Sequence, residues 1–457
     1  MPVHADHIAG VPATRIAAMR ARETERFARA RPLSRAAVAA GQAAFVQGVP
    51  MAWMSDWPMP FPMLVAKASG AIIEDIDGNR LDDFCLGDTG SMFGHSPAPV
   101  AKAIRAQARR GLTYMLPSED VLAVGVLLRE RFGDFLWQIA TTASDANRFC
   151  LRVARAVTGK PKVLAFAGCY HGAVDDVMIE PFGGGSRARP GMVGQVADLA
   201  ATGICVEFND LAAVEAALQT GEVAAILTEP VLTNCCMVLP DPGYLDGLRR
   251  LSRRYGALLI IDETHTISTG LGGYTATHGL DPDMFVLGKP VAGGVPAAVW
   301  GLRPAVAQRL ASYNATRAPG FSGIGTTLSA SPLQCAAMRA TLQEMMTPGN
   351  YARMERGAAR LAAGLSKAIA KHRAPWHVVR VGARVEFICA PGPLRNGSAG
   401  MAAHQPALEA AIHAALVNRG CLIAPFHNMM LVAPATQNRQ IDRLVTAFDA
   451  ILTDLFA

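Results

Sequence analysis

The stretch Leu258–Lys289, LLIIDETHTISTGLGGYTATHGLDPDMFVLGK, decides the fold of this chain. Its first apolar run ends in Asp262, and a second apolar run, Met284–Leu287, is followed by one glycine and Lys289. Short, continuously apolar runs of this kind are typical of strands that are buried on both faces. Each of these two strands therefore delivers a charged side chain at its carboxyl end.

A carboxylate and a lysine at the ends of two buried strands suit one kind of chemistry. The lysine can form an imine with an aldehyde cofactor, while the carboxylate holds a protonated ring nitrogen of that cofactor. The alternative is that Asp262 caps the next helix and Lys289 is an ordinary surface lysine. Neither residue alone decides between these interpretations, so the rest of the chain must.

Composition predicts a globular enzyme of about two domains. The chain has 457 residues, of which 51% are apolar and 18% charged, and its net charge of +6 is spread along the sequence. This small and dispersed charge predicts no nucleic-acid and no membrane partner, and it is compatible with an anionic ligand. With no apolar stretch near about 18 residues and no signal peptide, we expect no membrane span and a cytoplasmic location.

Other reaction classes find little support. The nine cysteines are scattered without a CxxC pair, which predicts buried free thiols rather than disulfides or a zinc site. A metal site at Asp262, Glu263 and His265 is disfavoured because the carboxylates are adjacent rather than on one helical face. The sequence also lacks the G-x-S-x-G elbow of a serine hydrolase.

The sequence divides into an N-terminal arm (1–70), a large domain (71–330) and a smaller C-terminal α+β domain (331–457). Residues 1–45 read as one or two helices, but Pro50–Pro62, PMAWMSDWPMPFP, cannot form a regular helix because its prolines lack the N–H donor. This segment either packs onto the body of the protein or lines a pocket for an apolar substrate.

In the large domain, short apolar strands alternate with amphipathic helices, which predicts a mainly parallel sheet covered on both faces. Ile139–Ala146 is interpreted as a loop before a helix. Ligands of such sheets lie beyond the carboxyl ends of the strands. Several polar groups fall there, and their convergence favours the cofactor interpretation: Thr142–Asp145, Tyr170, His171, Glu229, Asp262 and Lys289.

Eight motifs together carry a resemblance to a known family: DGNRLDDF, GHSPAPV, TTASDANRFCLRVARAVTGKPKV, CYHG, TEP, IIDE, LGK and GTTLSASP. From about residue 40 onward the chain resembles class III (subgroup II) pyridoxal-phosphate aminotransferases of fold type I. This group contains ω- and β-amino acid transaminases and glutamate-1-semialdehyde aminomutase. The resemblance implies a large domain with a mainly parallel seven-stranded sheet between helices. It also implies a smaller α+β domain on which the N-terminal arm packs, near the active site.

The resemblance implies pyridoxal 5'-phosphate as cofactor and assigns roles to individual residues. Lys289 matches the lysine that binds the cofactor aldehyde and moves the proton, and Asp262 matches the partner of the ring nitrogen. Tyr170 matches the aromatic residue stacked on the ring. His171 either contacts the cofactor or is structural, and Glu229 belongs with the cofactor-binding strand ends.

The phosphate site is also implied by the resemblance. Ala143 and Ser144 occupy the positions where backbone N–H groups and a hydroxyl at a helix N-terminus bind the phosphate. The family sequence S-G-T-E here reads TASD, so each hydroxyl or carboxylate is kept and one glycine becomes alanine. Thr326 matches the threonine that reaches the phosphate from the neighbouring subunit, which implies a homodimer.

Two departures from the family bear on the substrate. Thr264 stands where the family has a small aliphatic residue against the ring, and no arginine for a substrate carboxylate lies within Pro50–Pro62. Arg384 is the nearest candidate, although a surface ion pair with Glu386 is the preferred interpretation. Trp53 and Trp57 instead suggest that the enzyme accepts a bulky or aromatic amine.

The resemblance implies a transaminase that moves an amino group from an amine or a β- or ω-amino acid to a keto acid, aldehyde or ketone. An aminomutase of the glutamate-1-semialdehyde type, or a racemase, is the alternative, because the same lysine chemistry serves all three. Nothing in the sequence separates them.

Overall fold

Within residues 7–41, 44–425 and 427–457, which the computed structural model describes, α-helices and short strands alternate along most of the chain. The helices are α1 (Ala13–Ala30), α2 (Pro32–Gly41), α3 (Ala98–Ala108), α4 (Glu119–Phe132), α5 (Ala143–Thr158), α6 (Leu211–Gln219), α7 (Tyr244–Arg254), α8 (Gly273–Thr277), α9 (Pro304–Thr316), α10 (Pro332–Ala340), α11 (Pro348–Lys371), α12 (Gly397–Ala402), α13 (Pro406–Val417) and α14 (Asn438–Phe456).

The strands are β1 (His7–Ile8), β2 (Val11–Pro12), β3 (Val65–Ser69), β4 (Ile72–Asp75), β5 (Arg80–Asp83), β6 (Leu136–Ala140), β7 (Lys162–Phe166), β8 (Ile179–Phe182), β9 (Gly185–Ala188), β10 (Gly203–Val206), β11 (Val223–Thr228), β12 (Leu258–Asp262), β13 (Met284–Leu287), β14 (Ala298–Leu302), β15 (His377–Val381), β16 (Arg384–Ile388), β17 (Cys421–Leu422) and β18 (Met429–Leu431).

The chain divides into two compact units. The first comprises the described residues up to 97 together with 352–393 and 403–457, and the second comprises 98–351 and 394–402. These limits differ from the predicted boundaries at 70 and 330, for two reasons. Strand β5 pairs in parallel with β17, so the hairpin after residue 70 belongs with C-terminal residues. Helix α10 packs on α3 and α4, so residues after 330 still belong to the second unit.

The second unit is built on a seven-stranded sheet with the order β10-β7-β11-β12-β13-β14-β6. The first five strands in this order pair in parallel, and only β14 runs against its neighbours. All residues of β11, β12 and β13 are buried, as expected for strands covered on both faces. The predicted mainly parallel sheet is confirmed.

This sheet brings the ends of β12 and β13 side by side. The two strands are parallel neighbours with Asp262 opposite Val286, so Asp262 and Lys289 both lie at the carboxyl edge. The interpretation of Ile139–Ala146 as a loop was wrong on both sides. Its first residues belong to strand β6, which lies at the edge of the sheet beside β14, and its last residues already belong to α5.

The first unit has an α+β architecture. An antiparallel sheet β15-β16-β18 and a mixed sheet β17-β5-β4-β3 supply its strands, and α1 packs on α13 and α14. Its core includes Phe387, which is fully buried with its ring 4.7 Å from that of Phe448. The predicted hairpin over residues 71–83 is confirmed as β4 and β5.

Two further expectations can be compared with the described part of the chain. No helix there is long and apolar enough to cross a membrane. All nine cysteines are buried with free thiols.

The core of the first unit generates a stability prediction. Phe387→Ala should lower the free energy of unfolding by about 3–5 kcal/mol, because it removes a fully buried aromatic ring and leaves a cavity. Val196→Ala is the control, since that side chain is 97% exposed and its loss should change stability by no more than about 0.5 kcal/mol. Urea unfolding followed by circular dichroism measures both, and equal losses in the two variants would contradict the assignment of this core.

Candidate functional site

Lys289 follows β13 directly and has an unusual backbone. Its φ of +44° lies in the left-handed region, which non-glycine residues seldom adopt and which is enriched at functional sites. The side chain is half-buried, and its Nζ lies 2.8 Å from Nε2 of His265, a buried residue on the loop after β12. The amine is thus held at the sheet edge by a second titratable side chain.

Asp262 is a buried carboxylate with three close partners. Its Oδ2 accepts a hydrogen bond from Asn147 Nδ2 at 2.8 Å and lies 3.0 Å from His171 Nδ1, while its Oδ1 accepts from the backbone N–H of Thr264 at 3.0 Å. Burial would raise the pKa of this carboxyl, but the hydrogen bond and charge of His171, with the bonds from Thr264 and Asn147, hold it below its ordinary value. Asp262 therefore remains ionised although it is only 4% exposed.

His171 is the charged partner that stabilises this carboxylate. Burial would lower the pKa of His171, yet the charge of Cys169 and the hydrogen bond and charge of Asp262 raise it to about 10. Arg189 Nη2 lies 3.8 Å from the sulfur of Cys169, so the Cys169 side chain has a second cation beside it in addition to His171. The sequence left two roles open for His171, contact with the cofactor or a structural role. Its contacts favour the structural role, in which it stabilises the Asp262 carboxylate.

The N-terminus of α5 forms the second part of the site. Thr142 caps the helix, because its hydroxyl accepts a hydrogen bond from the backbone N–H of Asp145 at 3.1 Å. The N–H groups of the first helical turn, including those of Ala143 and Ser144, have no partner within the helix. A Cβ on Gly288 would lie 2.8 Å from that of Ala143, so glycine lets the helix start approach the end of β13.

Ser144 and Thr326 lie close to this helix start. The Ser144 hydroxyl accepts a hydrogen bond from the backbone N–H of Ala173 at 3.0 Å, which ties the helix to the loop after β7. The Thr326 hydroxyl is exposed and lies 3.4 Å from that of Thr141 in the same chain. Thr326 is thus beside this chain's own α5 N-terminus, and its reach into a neighbouring subunit stays a prediction.

Thr264 links the two strand ends. Its hydroxyl accepts a hydrogen bond from the backbone N–H of Gly288 at 3.2 Å, so the oxygen that departs from the family pattern joins the end of β12 to that of β13. This contact gives the hydroxyl a structural task that the sequence did not indicate.

Glu229 supports the segment that carries Tyr170. The buried Glu229 carboxylate accepts hydrogen bonds from the backbone N–H of Tyr170 at 3.3 Å and of Thr233 at 3.1 Å. Burial raises the pKa of Glu229, against the lowering effect of His171 and Thr233. Tyr170 itself is half-buried, which leaves part of its ring accessible.

Arg384 corrects a sequence interpretation. The predicted surface ion pair with Glu386 is wrong, because β16 is the central strand of its sheet and both side chains are buried. Arg384 instead lies 3.7 Å from Asp88 in an ion pair, and Glu386 lies 3.4 Å from His427. The guanidinium therefore already has an acidic neighbour in the first unit.

The two tryptophans predicted to face a substrate differ in their surroundings. Trp57 is half-buried and lines an apolar cavity of about 470 Å³ in the first unit, together with Phe27, Val49 and Met59. Trp53 is 45% exposed and does not line this cavity. The structure supports an apolar surrounding for Trp57 but not for Trp53.

Sequence reasoning missed three contributors to the site: Asn147, Cys169 and the role of His265. Asn147 is a fully buried amide on the first turns of α5, and a polar residue on the apolar face of a predicted helix is the signal that could have found it. The sequence suggested His265 only as a ligand of a metal site that was disfavoured. Within the described residues, no group of three or more His, Cys, Asp and Glu side chains is arranged to hold a metal ion.

Comparisons with known proteins agree with this geometry. Residues 53–452 match the model of the family "Aminotransferase class-III". The chain is 35% identical to the glutamate-1-semialdehyde 2,1-aminomutase of Roseiflexus castenholzii over 369 residues, which cover 80% of this chain and 83% of that protein.

Solved structures give the same picture. The chain superposes on a glutamate-1-semialdehyde-aminomutase from Pseudomonas aeruginosa PAO1 with a TM-score of 0.95 and 46% identity, covering 98% of this chain and 100% of that one. A lysine-to-alanine variant of that enzyme, in complex with PMP, gives a TM-score of 0.96 at 45% identity with the same coverage. The β-phenylalanine aminotransferase of Variovorax paradoxus gives 0.85 at 25% identity, covering 96% and 97%.

The ion pair of Asp262 and His171 generates a prediction that depends on pH. His171→Gln should lower the free energy of unfolding by about 3 kcal/mol, because it leaves a buried carboxylate without its cation. The difference from the wild type should be largest below about pH 6.5, where an unfolded histidine is also protonated. It should shrink as the pH rises toward about 10, where folded His171 loses its proton.

Urea unfolding at several pH values measures this difference. His278→Gln is the control, since His278 is exposed and stacks on Tyr274 with ring centroids 3.8 Å apart. A loss of stability in His171→Gln that stays constant between about pH 6.5 and pH 10 would show that His171 carries no shifted charge.

Proposed function

Because the chain belongs to the class-III aminotransferase family, we propose that it uses pyridoxal 5'-phosphate to move an amino group between two carbons of one substrate, as a 2,1-aminomutase acting on glutamate 1-semialdehyde. Family membership and the PMP-bound relative support the cofactor. The observation that carries the proposal is that parallel neighbours β12 and β13 deliver Asp262 and Lys289 to the same sheet edge.

The residues at this edge fit the cofactor. Asp262 is an ionised, buried carboxylate, and each of its oxygens has two lone pairs, so the oxygen that accepts the Thr264 bond can also accept one from a protonated ring nitrogen. The N-terminus of α5, with the N–H groups of Ala143 and Ser144, suits a phosphate. Lys289 supplies the amine.

The protein's own groups have distinct tasks in this chemistry. When bound, the cofactor supplies an aldehyde for amino groups and an electron-withdrawing ring. Asp262 keeps the proton on the ring nitrogen because its own pKa is lowered. Lys289 Nζ accepts a proton from one substrate carbon and returns it to another position. Tyr170, at the same edge, offers a ring face for stacking.

The comparisons support an aminomutase over a transaminase. The relative from Roseiflexus castenholzii and the Pseudomonas aeruginosa enzyme are both named glutamate-1-semialdehyde aminomutases, at 35% and 46% identity. A 2,1-aminomutation exchanges an amino group on carbon 2 with the oxygen on carbon 1 of the same molecule. It therefore needs no second amine donor and no separate acceptor.

A transaminase is the second candidate, and one observation favours it. No arginine or lysine occurs between Arg35 and Lys67, so the Pro50–Pro62 segment offers no cation to a substrate carboxylate. The apolar cavity lined by Trp57 is compatible with an apolar amine. A racemase uses the same groups and has no observation of its own in its favour.

We also propose that the enzyme acts as a homodimer. The segment around Thr326 exposes apolar side chains, with Phe321 86% and Leu328 54% exposed. A second copy of the chain that covered these side chains would remove their apolar surface from water, which favours association. Thr326 would then take part in the neighbouring phosphate site, as the family resemblance implies.

The proposal predicts turnover of a single substrate. Purified holoenzyme given glutamate 1-semialdehyde alone should produce 5-amino-4-oxopentanoate through many turnovers, because each substrate molecule brings one amino group and each product molecule carries one away. Nuclear magnetic resonance of the reaction mixture measures the product. Lys289→Ala is the control and should lose this turnover.

The opposite result identifies the transaminase. No conversion of glutamate 1-semialdehyde, together with steady consumption of β-phenylalanine and 2-oxoglutarate, would overturn the aminomutase in favour of amino transfer between two molecules. Failure of both assays would overturn both candidates.

A further inference from the structure

A groove of about 1030 Å³ in the second unit is lined by α5, α9 and the segment 317–324. Two of its lining side chains are acidic and five are cationic, which leaves an excess of three positive charges on one concave surface. The cationic residues are Arg148, Arg152, Arg155, Lys160 and Arg317. We propose that this α5–α9 groove binds a ligand that carries two or more phosphate groups. The inference concerns a second site and does not depend on the reaction proposed above.

The arginines of α5 differ in how far their charge is compensated. Arg155 Nη2 lies 2.8 Å from an oxygen of Asp176 in an ion pair. Arg148 Nη2 donates a hydrogen bond to the backbone carbonyl of Ala173 at 2.9 Å and pairs with no described carboxylate. Arg152 is exposed and has neither a hydrogen bond nor an ion pair with any residue that the structure describes. Two of these three guanidinium groups therefore lack a compensating negative charge.

The other two cations of the groove are held by neutral acceptors. Arg317 Nε donates to Asn314 Oδ1 at 3.0 Å, and its Nη1 donates to the carbonyl oxygen of Gly320 at 3.1 Å. Lys160 Nζ donates to the carbonyl oxygen of Tyr255 at 2.7 Å. Burial lowers the pKa of Lys160, an effect that a bound anion would oppose. These bonds hold the side chains in place without cancelling their charge.

Arginines elsewhere in the second unit show the more usual arrangement. Arg249 pairs with Asp283 at 2.6 Å, and Arg339 pairs with Asp120 at 2.8 Å. In the groove, the second acidic residue, Asp175, pairs with none of the described cations. Like charges that share a concave surface repel one another, and an anion bound among them relieves this repulsion. The groove is therefore better suited to an external anion than to any described side chain of the chain itself.

The spacing of the arginines favours a ligand with more than one negative group. Arg148 and Arg152 are one turn of α5 apart, about 6 Å along the helix axis, and Arg155 follows three residues later. A Cβ atom on Gly323 would lie 2.9 Å from Arg152 Nη1, so this guanidinium reaches the opposite wall of the groove. A guanidinium matches phosphate because it can donate two parallel N–H bonds to it.

The groove also has an apolar wall. Leu310 and Tyr313 of α9 line it, and Tyr313 is 44% exposed. A chain of phosphates needs no such wall, whereas the base of a nucleotide can stack on a tyrosine ring. Phosphate groups are the chemistry that inorganic polyphosphate and a nucleoside triphosphate share, and the two sources can be separated by experiment.

Isothermal titration calorimetry tests the proposal, with inorganic tripolyphosphate added to protein that is loaded with pyridoxal phosphate. Loading occupies the phosphate position proposed at the N-terminus of α5, so that binding there is not mistaken for binding in the groove. We expect one tripolyphosphate per chain, with an affinity that falls as the salt concentration rises.

Arg152→Gln should weaken tripolyphosphate binding about tenfold, because it removes one charged donor, and Arg152→Glu should weaken it further. Since Arg152 is exposed and has no partner among the described residues, neither change removes a contact on which folding depends. Arg250→Gln is the matched control. Arg250 is also exposed and unpaired in the described part of the chain, but it does not line the groove, so this variant should bind like the wild type.

Adenosine triphosphate, titrated without magnesium, separates the two sources of phosphate. Tighter binding than that of tripolyphosphate, with the gain lost in Tyr313→Leu, would identify a nucleotide. An affinity equal to or below that of tripolyphosphate would identify the phosphate chain alone.

Absence of binding of both probes at millimolar concentration, or an Arg152→Gln variant that binds them like the wild type, would overturn the proposal. Neither outcome involves turnover, so it is distinguishable from failure of the aminomutase assay.

Discussion

One buried negative charge constrains the whole site. Removing a carboxylate from water costs several kcal/mol unless cations and donors replace its hydration. Asp262 meets this condition with partners from three different places: Asn147 on α5, His171 after β7 and Thr264 after β12. The carboxylate stays ionised only when all three elements are in position. The charge of this one side chain therefore favours the observed arrangement of the sheet edge.

The backbone contacts at this edge work in the same direction. Thr264 bonds the N–H of Gly288, and Gly288 allows Ala143 to approach, so α5, β12 and β13 are joined within a few residues of Lys289. Such surroundings are what hold a lysine at a positive φ, a conformation that costs about 1–3 kcal/mol on its own. The parallel strands supply the geometry, and the loops that follow them supply the chemistry.

Sequence reasoning predicted the parts of the structure that depend on local pattern. The apolar runs before Asp262 and Lys289 indicated buried parallel strands, and the rule that ligands lie beyond their carboxyl ends predicted a site at this edge of the sheet. The paths of the loops could not be predicted, because they are set by contacts between distant residues. His265 meets Lys289 only through the parallel pairing of β12 and β13.

The surface ion pair predicted for Arg384 was wrong, and the limits of the two units differ from the predicted boundaries, because both depend on contacts between distant parts of the chain. A strand-like run shows that successive side chains point to opposite faces of a sheet, but it does not show whether the strand lies at the edge or in the centre. Strand β16 is central, because it pairs with β15 on one side and β18 on the other. The pairing of β5 with β17 joins segments far apart in the chain, which no local pattern reveals. Strand β10 and helix α6 also lacked a prediction, since four- and nine-residue segments carry weak periodicity.

We propose that Lys289 is the amine that would bind the cofactor aldehyde at this sheet edge. Borohydride reduction of the wild-type protein loaded with pyridoxal phosphate, followed by peptide mass spectrometry, tests it directly. We expect one stable adduct, on the peptide that contains Lys289. An adduct confined to another lysine, or no adduct at all, would contradict it.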